Sequence, residues 1–294
     1  MHREIETVGF IGLGVMGERM CRHLAEKGTW RVLANDLDPA PLERLAHGGV
    51  EAATVDEMLK AADMIVTCLP GGEQVEALAL GPQGFVSRLR PEQVYVDMST
   101  SPPDLMRRIA DALPEGALSA DAPVARTRAA AERGELLIMV GGPEESFALV
   151  EPVLATMGSD VVHCGPNGAG QVAKILNNMV LFETVAALAE AVEVGERSGM
   201  NAEALLDVLS LGSANSFALN AHGRNSLAPQ DYPERSFSVR YAAKDLSYAR
   251  RLGQETGVRT PGADHVAALF EEAIAEGAGG KYFPVIRKLL HRRE

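Results

Sequence analysis

Cysteine is nearly absent: Cys21, Cys68 and Cys164 are the only three, with no metal-like spacing and no even disulfide set. They read as small buried residues of a reducing compartment, so the chain is expected in the cytoplasm. Aromatic residues are scarce at 5%, which leaves close packing of Ala- and Gly-rich elements to build the core. Positive charge is in deficit, with Lys and Arg at 28 against Asp and Glu at 40, a formal net charge of −12. That balance excludes general affinity for nucleic acid or anionic membrane. An anionic small substrate still fits, provided its site is locally positive. No apolar run approaches the roughly 18 residues of a membrane span, and a strand begins too early for a signal peptide. Internal repeats and low-complexity segments are missing as well. With 294 residues the length prior allows one large or two medium domains.

What is present is alternation. Residues 5–12 read as a short buried strand, IETVGFIG, and a helix over Glu18–Lys27 follows. Between them Gly12, Gly14 and Gly17 form G-x-G-x-x-G, and a second strand ends at Asp36, 19 residues beyond Gly17. This is the spacing of a dinucleotide-binding turn. Gly12 allows the tight turn, Gly14 lets the backbone approach a pyrophosphate, and Gly17 packs helix against strand. Cofactor contacts are therefore expected from Gly12, Leu13, Gly14, Val15, Met16 and Gly17, with the helix N-terminus facing the phosphates. Asp36 accepts the ribose hydroxyls and would repel a 2′-phosphate, so NAD is expected over NADP. Helices at 41–47 and 55–62 precede a strand at 63–70. A helix at 73–80 and strands at 93–100, 118–124, 135–142 and 160–164 continue the pattern, with a helix at 102–112 among them. Alternation of this kind predicts a doubly wound, mostly parallel sheet.

From 168 onward only helical segments appear: 168–198, 201–210, 214–222, 239–256, 261–276 and 281–292. The boundary is expected at GPNGAG, giving an α/β Rossmann-type domain over 1–165 and an all-α domain over 166–294, joined by a long helix. That helix has no Pro in its interior and Gly199 as its stop. It is apolar over most of its circumference, which predicts burial between other elements. At roughly 100° per residue, Lys174 and Asn178 share one face. A lysine and an amide near the start of so apolar a helix are candidates for chemistry.

Ligands of open α/β sheets bind beyond the carboxyl ends of strands. Those ends carry Leu69 and Pro70 in LPGG, Ser99 and Thr100 in DMSTSPP, and Arg126, Thr127 and Arg128 in DAPVARTR. A helix-capping role for Ser99 and Thr100 ahead of Pro102 is compatible with a site role. His163, His222 and His265 have no paired ligand nearby in sequence and read as structural.

The motifs GFIGLGVMG (9–17), DMSTSPP (97–103), DAPV (121–124), GAGQVAKILNN (168–178) and KDL (244–246), in this order, resemble the β-hydroxyacid dehydrogenase family over nearly the whole chain. The resemblance implies a Rossmann domain, an all-helical domain and homodimers or homotetramers built on the second. It implies Lys174 as general acid/base, Asn178 and Ser99 holding substrate, and Lys244 near the nicotinamide. Leu69, Pro70, Thr100 and Lys244 then join the cofactor contacts. The expected reaction is NAD-dependent interconversion of a small anionic 3-hydroxyacid and its semialdehyde. A desolvated lysine suits the proton transfer, and no metal is required.

One departure stands out. The family usually follows DAPV with Ser-Gly-Gly, whose backbone amides hold a substrate carboxylate; here the residues are Ala125-Arg126-Thr127. Arg-Thr resembles the 3-sulfolactaldehyde reductase branch, in which an arginine grips a sulfonate. Leu181 and Phe182 stand where that branch carries a serine. Arg126 and Thr127 are thus expected at the substrate's anionic group, carboxylate or sulfonate. A non-catalytic dinucleotide-binding module is the remaining alternative, disfavoured by Lys174 with Asn178.

Overall fold

The computed structural model describes residues 4–234 and 236–290. The chain divides into two compact units, Met1–Lys174 and Ile175–Glu294.

The first unit alternates β1 (Thr7–Ile11), α1 (Gly17–Lys27), β2 (Arg31–Asn35), α2 (Pro39–Ala46), β3 (Glu51–Ala52), α3 (Val55–Ala61), β4 (Met64–Thr67) and α4 (Gly72–Leu80). It continues with β5 (Val94–Asp97), α5 (Pro103–Asp111), β6 (Leu118–Asp121), β7 (Val124–Ala125), α6 (Arg128–Arg133), β8 (Leu136–Gly141), α7 (Glu144–Leu154) and β9 (Gly158–Gly165). The strand order is β3-β2-β1-β4-β5-β6-β8-β7, with β9 paired to β8. The first six positions reproduce the doubly wound order whose crevice opens where the chain reverses direction, beside β1 and β4. Those pairs are parallel, whereas β8 runs antiparallel to β6 and β7. Every residue of β4 and β5 is buried, as expected of strands covered on both faces. Local signals set the helix starts. Asp38 caps α2, and Thr54 with Glu57 closes a capping box on α3.

The second unit is helical: the greater part of α8 (Ala169–Arg197), then α9 (Ala202–Leu211), α10 (Val239–Thr256) and α11 (Pro261–Ala275). Phe182, Phe270 and Phe283 stack edge to face at its centre. Arg287, 2% exposed, donates to the Leu227 carbonyl and pairs with Glu193 and Glu196 on α8. Gly199 follows α8 at φ +90°, in line with its expected stop.

Three expectations change. The helix at 214–222 is instead a run of wide turns over Leu219–Leu227, closed by amides five residues on, such as Ala228 to Gly223. The weak helix formers in NAHGRNS leave the ordinary pitch little advantage. The segment at 281–292 is a 3₁₀ helix over Phe283–Leu290; positions 291 and 292 lie outside the described residues. The long helix is not wrapped on all sides by its own chain. Leu176, Val180 and Val194 are 39%, 58% and 65% exposed, so one apolar stripe is only partly covered by the described residues. With 29 residues and a best 18-residue window of hydropathy 1.4, α8 has the length and composition of a membrane span. Its contacts are those of a core helix: Ile175, Phe182, Val185, Ala189 and Val192 are buried in the second unit's core.

Candidate active site

The turn after β1 is shaped by three glycines with three different jobs. Gly12 has φ +98°, and a Cβ there would stand 2.3 Å from the Cys68 carbonyl oxygen. A Cβ on Gly17 would meet the Gly12 carbonyl at 2.0 Å. Above Gly14 nothing lies within 4 Å, so the backbone is open on the side where a phosphate would approach. No side chain caps the start of α1 at Met16, and Val15 is 51% exposed. The Leu13 amide donates to Asp36 Oδ2 at 2.5 Å, and the Asp38 amide to Asp36 Oδ1 at 2.8 Å. Asp36 thus closes the turn from the end of β2, and each oxygen keeps a lone pair for a ribose hydroxyl. An open glycine cradle at a helix start, beside a fixed carboxylate, fits a dinucleotide.

The ends of β4, β5 and β6 form a second cluster. Asp97 is fully buried and accepts from Thr67 Oγ1 (2.9 Å), the Ser99 amide (3.0 Å) and Ser101 Oγ (2.9 Å). Burial pushes its carboxyl up, against the lowering effect of these bonds. Ser99, 3% exposed, accepts from the Leu69 amide at 2.8 Å and bonds to Asp97. Its hydroxyl braces two strand ends, a use the substrate-holding expectation did not include. Neither Ser99 nor Thr100 caps α5, whose start at Pro102 has no side-chain cap. Thr100 and Leu69 are half-buried and Pro70 is exposed at these strand ends.

Onto this cluster the first turn of α8 is fastened. Asp121 accepts from the Gly168 amide (2.6 Å) and the Gln171 amide (2.8 Å). Gln171 Nε2 donates to the Ser99 carbonyl (2.8 Å), and its Oε1 accepts from the Ser101 amide (3.0 Å). Burial pushes the Asp121 carboxyl up to about 6, opposed by the two amides. Lys174 follows within one turn and is 8% exposed.

In the second unit Asn178 is 1% exposed and donates from Nδ2 to Asp245 Oδ2 at 2.8 Å. Lys244 Nζ stands 3.0 Å from Asp245 Oδ1, with the Tyr241 and Tyr248 rings at 5.6 and 5.4 Å. Asp245, like Asp97, Asp121 and Gln171, is a polar residue of the site that was not singled out from the sequence. Its signal was the KDL motif, of which only the lysine was used.

Arg126 has protein partners that its expected role did not include. Its guanidinium donates to the Glu135 carbonyl (2.7 Å), Ser159 Oγ (2.6 Å) and Asp160 Oδ2 (2.5 Å). These partners sit at the beginnings of β8 and β9, whereas Asp121 pairs with Gly141 at the end of β8. Six residues of strand span about 17 Å, so the guanidinium points away from the start of α8. Thr127 is engaged too: its hydroxyl accepts from the Ala130 amide and caps α6. Arg126 itself has φ +85°, a left-handed backbone that favours glycine. The histidines have structural partners: His163 meets the Gly142 carbonyl, His222 the Tyr282 hydroxyl, and His265 the Glu190 carboxylate. Among the described residues no cluster of three His, Cys, Asp or Glu is placed to hold a metal.

Fold and site together define a two-unit oxidoreductase built on a nicotinamide-dinucleotide-binding sheet. Residues 7–165 match the family described as the NAD binding domain of 6-phosphogluconate dehydrogenase. Residues 168–289 match the family described as NAD-binding of NADP-dependent 3-hydroxyisobutyrate dehydrogenase. The chain is 35% identical to 3-hydroxyisobutyrate dehydrogenase of Pseudomonas aeruginosa, over 98% of this chain and 99% of that protein. It is 31% identical to NAD-dependent L-serine dehydrogenase of the same organism, over 97% and 98%. A structure of Mycobacterium tuberculosis 3-hydroxyisobutyrate dehydrogenase with L-serine superposes with a TM-score of 0.88 at 31% identity, covering 98% of this chain and all of that one. The chain belongs to the β-hydroxyacid dehydrogenase family and is an NAD-binding dehydrogenase.

Proposed function

We propose that the enzyme oxidises a small anionic 3-hydroxyacid to its semialdehyde, and catalyses the reverse, with Lys174 as general acid/base. The observation that carries this is a buried lysine on the first turns of α8, one helical turn before a buried Asn178. NAD supplies the hydride acceptor at its nicotinamide. In the oxidative direction Lys174 takes the hydroxyl proton as the carbon–hydrogen bond breaks, and in reduction it returns that proton. Asn178, held by Asp245 Oδ2, keeps its amide in one orientation and so orients the hydroxyl. Lys244, paired with Asp245 Oδ1, steadies the carboxylate that holds Asn178.

Asp36 and Asp38 both lie at the end of β2, which supports NAD over NADP, since a 2′-phosphate there would meet carboxylates. The relatives that act on 3-hydroxyisobutyrate and L-serine support a 3-hydroxyacid as substrate. A sulfonate substrate has less support, because the guanidinium it would need is paired here with Asp160, although both side chains are part-exposed. The partly covered stripe on α8, with Val208 and Leu211 of α9 at 61% and 90% exposure, supports assembly with a second copy.

Initial rates with NAD and NADP against 3-hydroxyisobutyrate, L-serine, glycerate, 3-hydroxypropionate, 4-hydroxybutyrate and sulfolactate test this reading. Turnover of a 3-hydroxy carboxylate, with kcat/KM for NAD at least about tenfold above NADP, is expected. Turnover of the sulfonate alone would overturn it.

A further inference from the structure

The lysine-bearing helix is capped only in part by its own lead-in, where the Pro166 carbonyl accepts from the Ala169 amide. The Gly168 and Gln171 amides are taken up by Asp121, which stands 47 residues before Gly168 at the end of β6. The room for that carboxylate is made by two glycines. A Cβ on Gly141 would lie 2.6 Å from Asp121 Oδ1, and a Cβ on Gly170 would lie 2.8 Å from Oδ2 and 2.3 Å from the Met139 carbonyl oxygen. Gln171, fully buried, then bridges the same turn to the Ser99 carbonyl and the Ser101 amide after β5. A Ser or Thr in place of Gly168 would satisfy the Gln171 amide without burying a charge. Such a local cap would not tie the helix to the sheet. The two side chains together fix both the axial position and the rotation of the turn that precedes Lys174.

We infer that Asp121 and Gln171 are positioning residues for proton transfer: by locking the first turn of α8 to the ends of β5 and β6, they set where the Lys174 ammonium stands. The inference rests on the reading of Lys174 as acid/base. Neither residue is asked to touch substrate or nucleotide. Displacement by about 1 Å of a reacting group can cost on the order of a hundredfold in rate, so a small slip of this turn is enough to matter.

Asp121→Asn keeps the shape but turns one accepting arm into a donor facing an amide. Gln171→Met keeps the volume and removes both hydrogen bonds. Each is made alone and combined with Lys174→Ala, then assayed with the best acid of the panel above, with NADH binding followed by nucleotide fluorescence. The expected result is a fall of about 30- to 100-fold in kcat for each single variant, with KM and NADH affinity within about threefold of wild type. In the Lys174→Ala background the same replacements should change the residual rate by less than about twofold, because the group they position is gone. Effects that multiply in the double variants, or a loss confined to KM or NADH affinity, would overturn the inference. Wild-type activity in Lys174→Ala alone would overturn the acid/base reading beneath it, a different outcome from multiplying effects. If Asp121→Asn does not fold, Gln171→Met carries the same test.

Discussion

The site residues of the two units are held by different means. In the first, side chains bond mainly to main chain. Asp36 takes two amides, Asp121 takes two more, and Gln171 joins a carbonyl and an amide. Glycines at 12, 17, 141 and 170 make the close approaches that these bonds need. In the second unit the site residues bond side chain to side chain, Asn178 of α8 to Asp245 of α10 and Lys244 to its neighbour Asp245. Burial acts on charge in the same sense in both units, against the ionised form. It pushes the Asp121 carboxyl up to about 6 and the His222 imidazole down to about 4. Strand ends and tight turns expose backbone donors, so a sheet builds its site from amides. Helices consume their own backbone groups, so a helical unit must build with side chains.

The comparison breaks most severely at Gly170. Gly170→Ala drives a Cβ against the Met139 carbonyl and the Asp121 carboxylate. We expect a loss of about 3 kcal/mol in urea unfolding, with activity falling alongside. A change under about 0.5 kcal/mol would show that the first turn of α8 has slack.

Titration separates the units next. The His222 pKa is 6.5 unfolded and about 4 folded, so its stabilising contribution is complete above pH 6.5 and is lost as pH falls through 4. The stability advantage of wild type over His222→Gln should therefore grow by on the order of 3 kcal/mol as pH rises through that window. The Asp121 pKa is 3.8 unfolded and about 6 folded, so its contribution is present below 3.8 and lost as pH rises through 6. Wild type against Asp121→Asn should show the reverse slope, read by urea unfolding at a series of pH values.

A smaller effect is expected at Asn178. Asn178→Ala should lower kcat/KM by about 10- to 100-fold, and Asp245→Asn should cost less, because an amide can still accept from Asn178. Equal losses in the two would assign Asp245 its own contact with the reactants. The smallest effect is expected at Arg126. With its guanidinium tied to Glu135, Ser159 and Asp160, Arg126→Gly should leave kcat/KM within about threefold. A loss of about a hundredfold would restore Arg126 as an anion clamp.

Legibility in the sequence followed the range of each interaction. The glycine turn, Asp36, the β/α alternation and the extent of α8 are local signals, and each stood in a single short stretch. Asp121 and α8 are 47 residues apart, and Asn178 and Asp245 are 67 apart. No periodicity announces such pairings. Arg126 was read from its charge, while its partner Asp160, 34 residues on, was not visible as such. The wide turns at Leu219–Leu227 were missed for a different reason: an apolar pattern does not distinguish closure at five residues from closure at four.

The central claim is that the Lys174 ammonium supplies the proton. It is tested most directly by chemical rescue of Lys174→Ala. The account predicts a fall in kcat of about 10²- to 10⁴-fold, and a rate that rises with the concentration of added methylamine and follows amine basicity across a series. Rates near wild type without amine would contradict the assignment of Lys174 as acid/base.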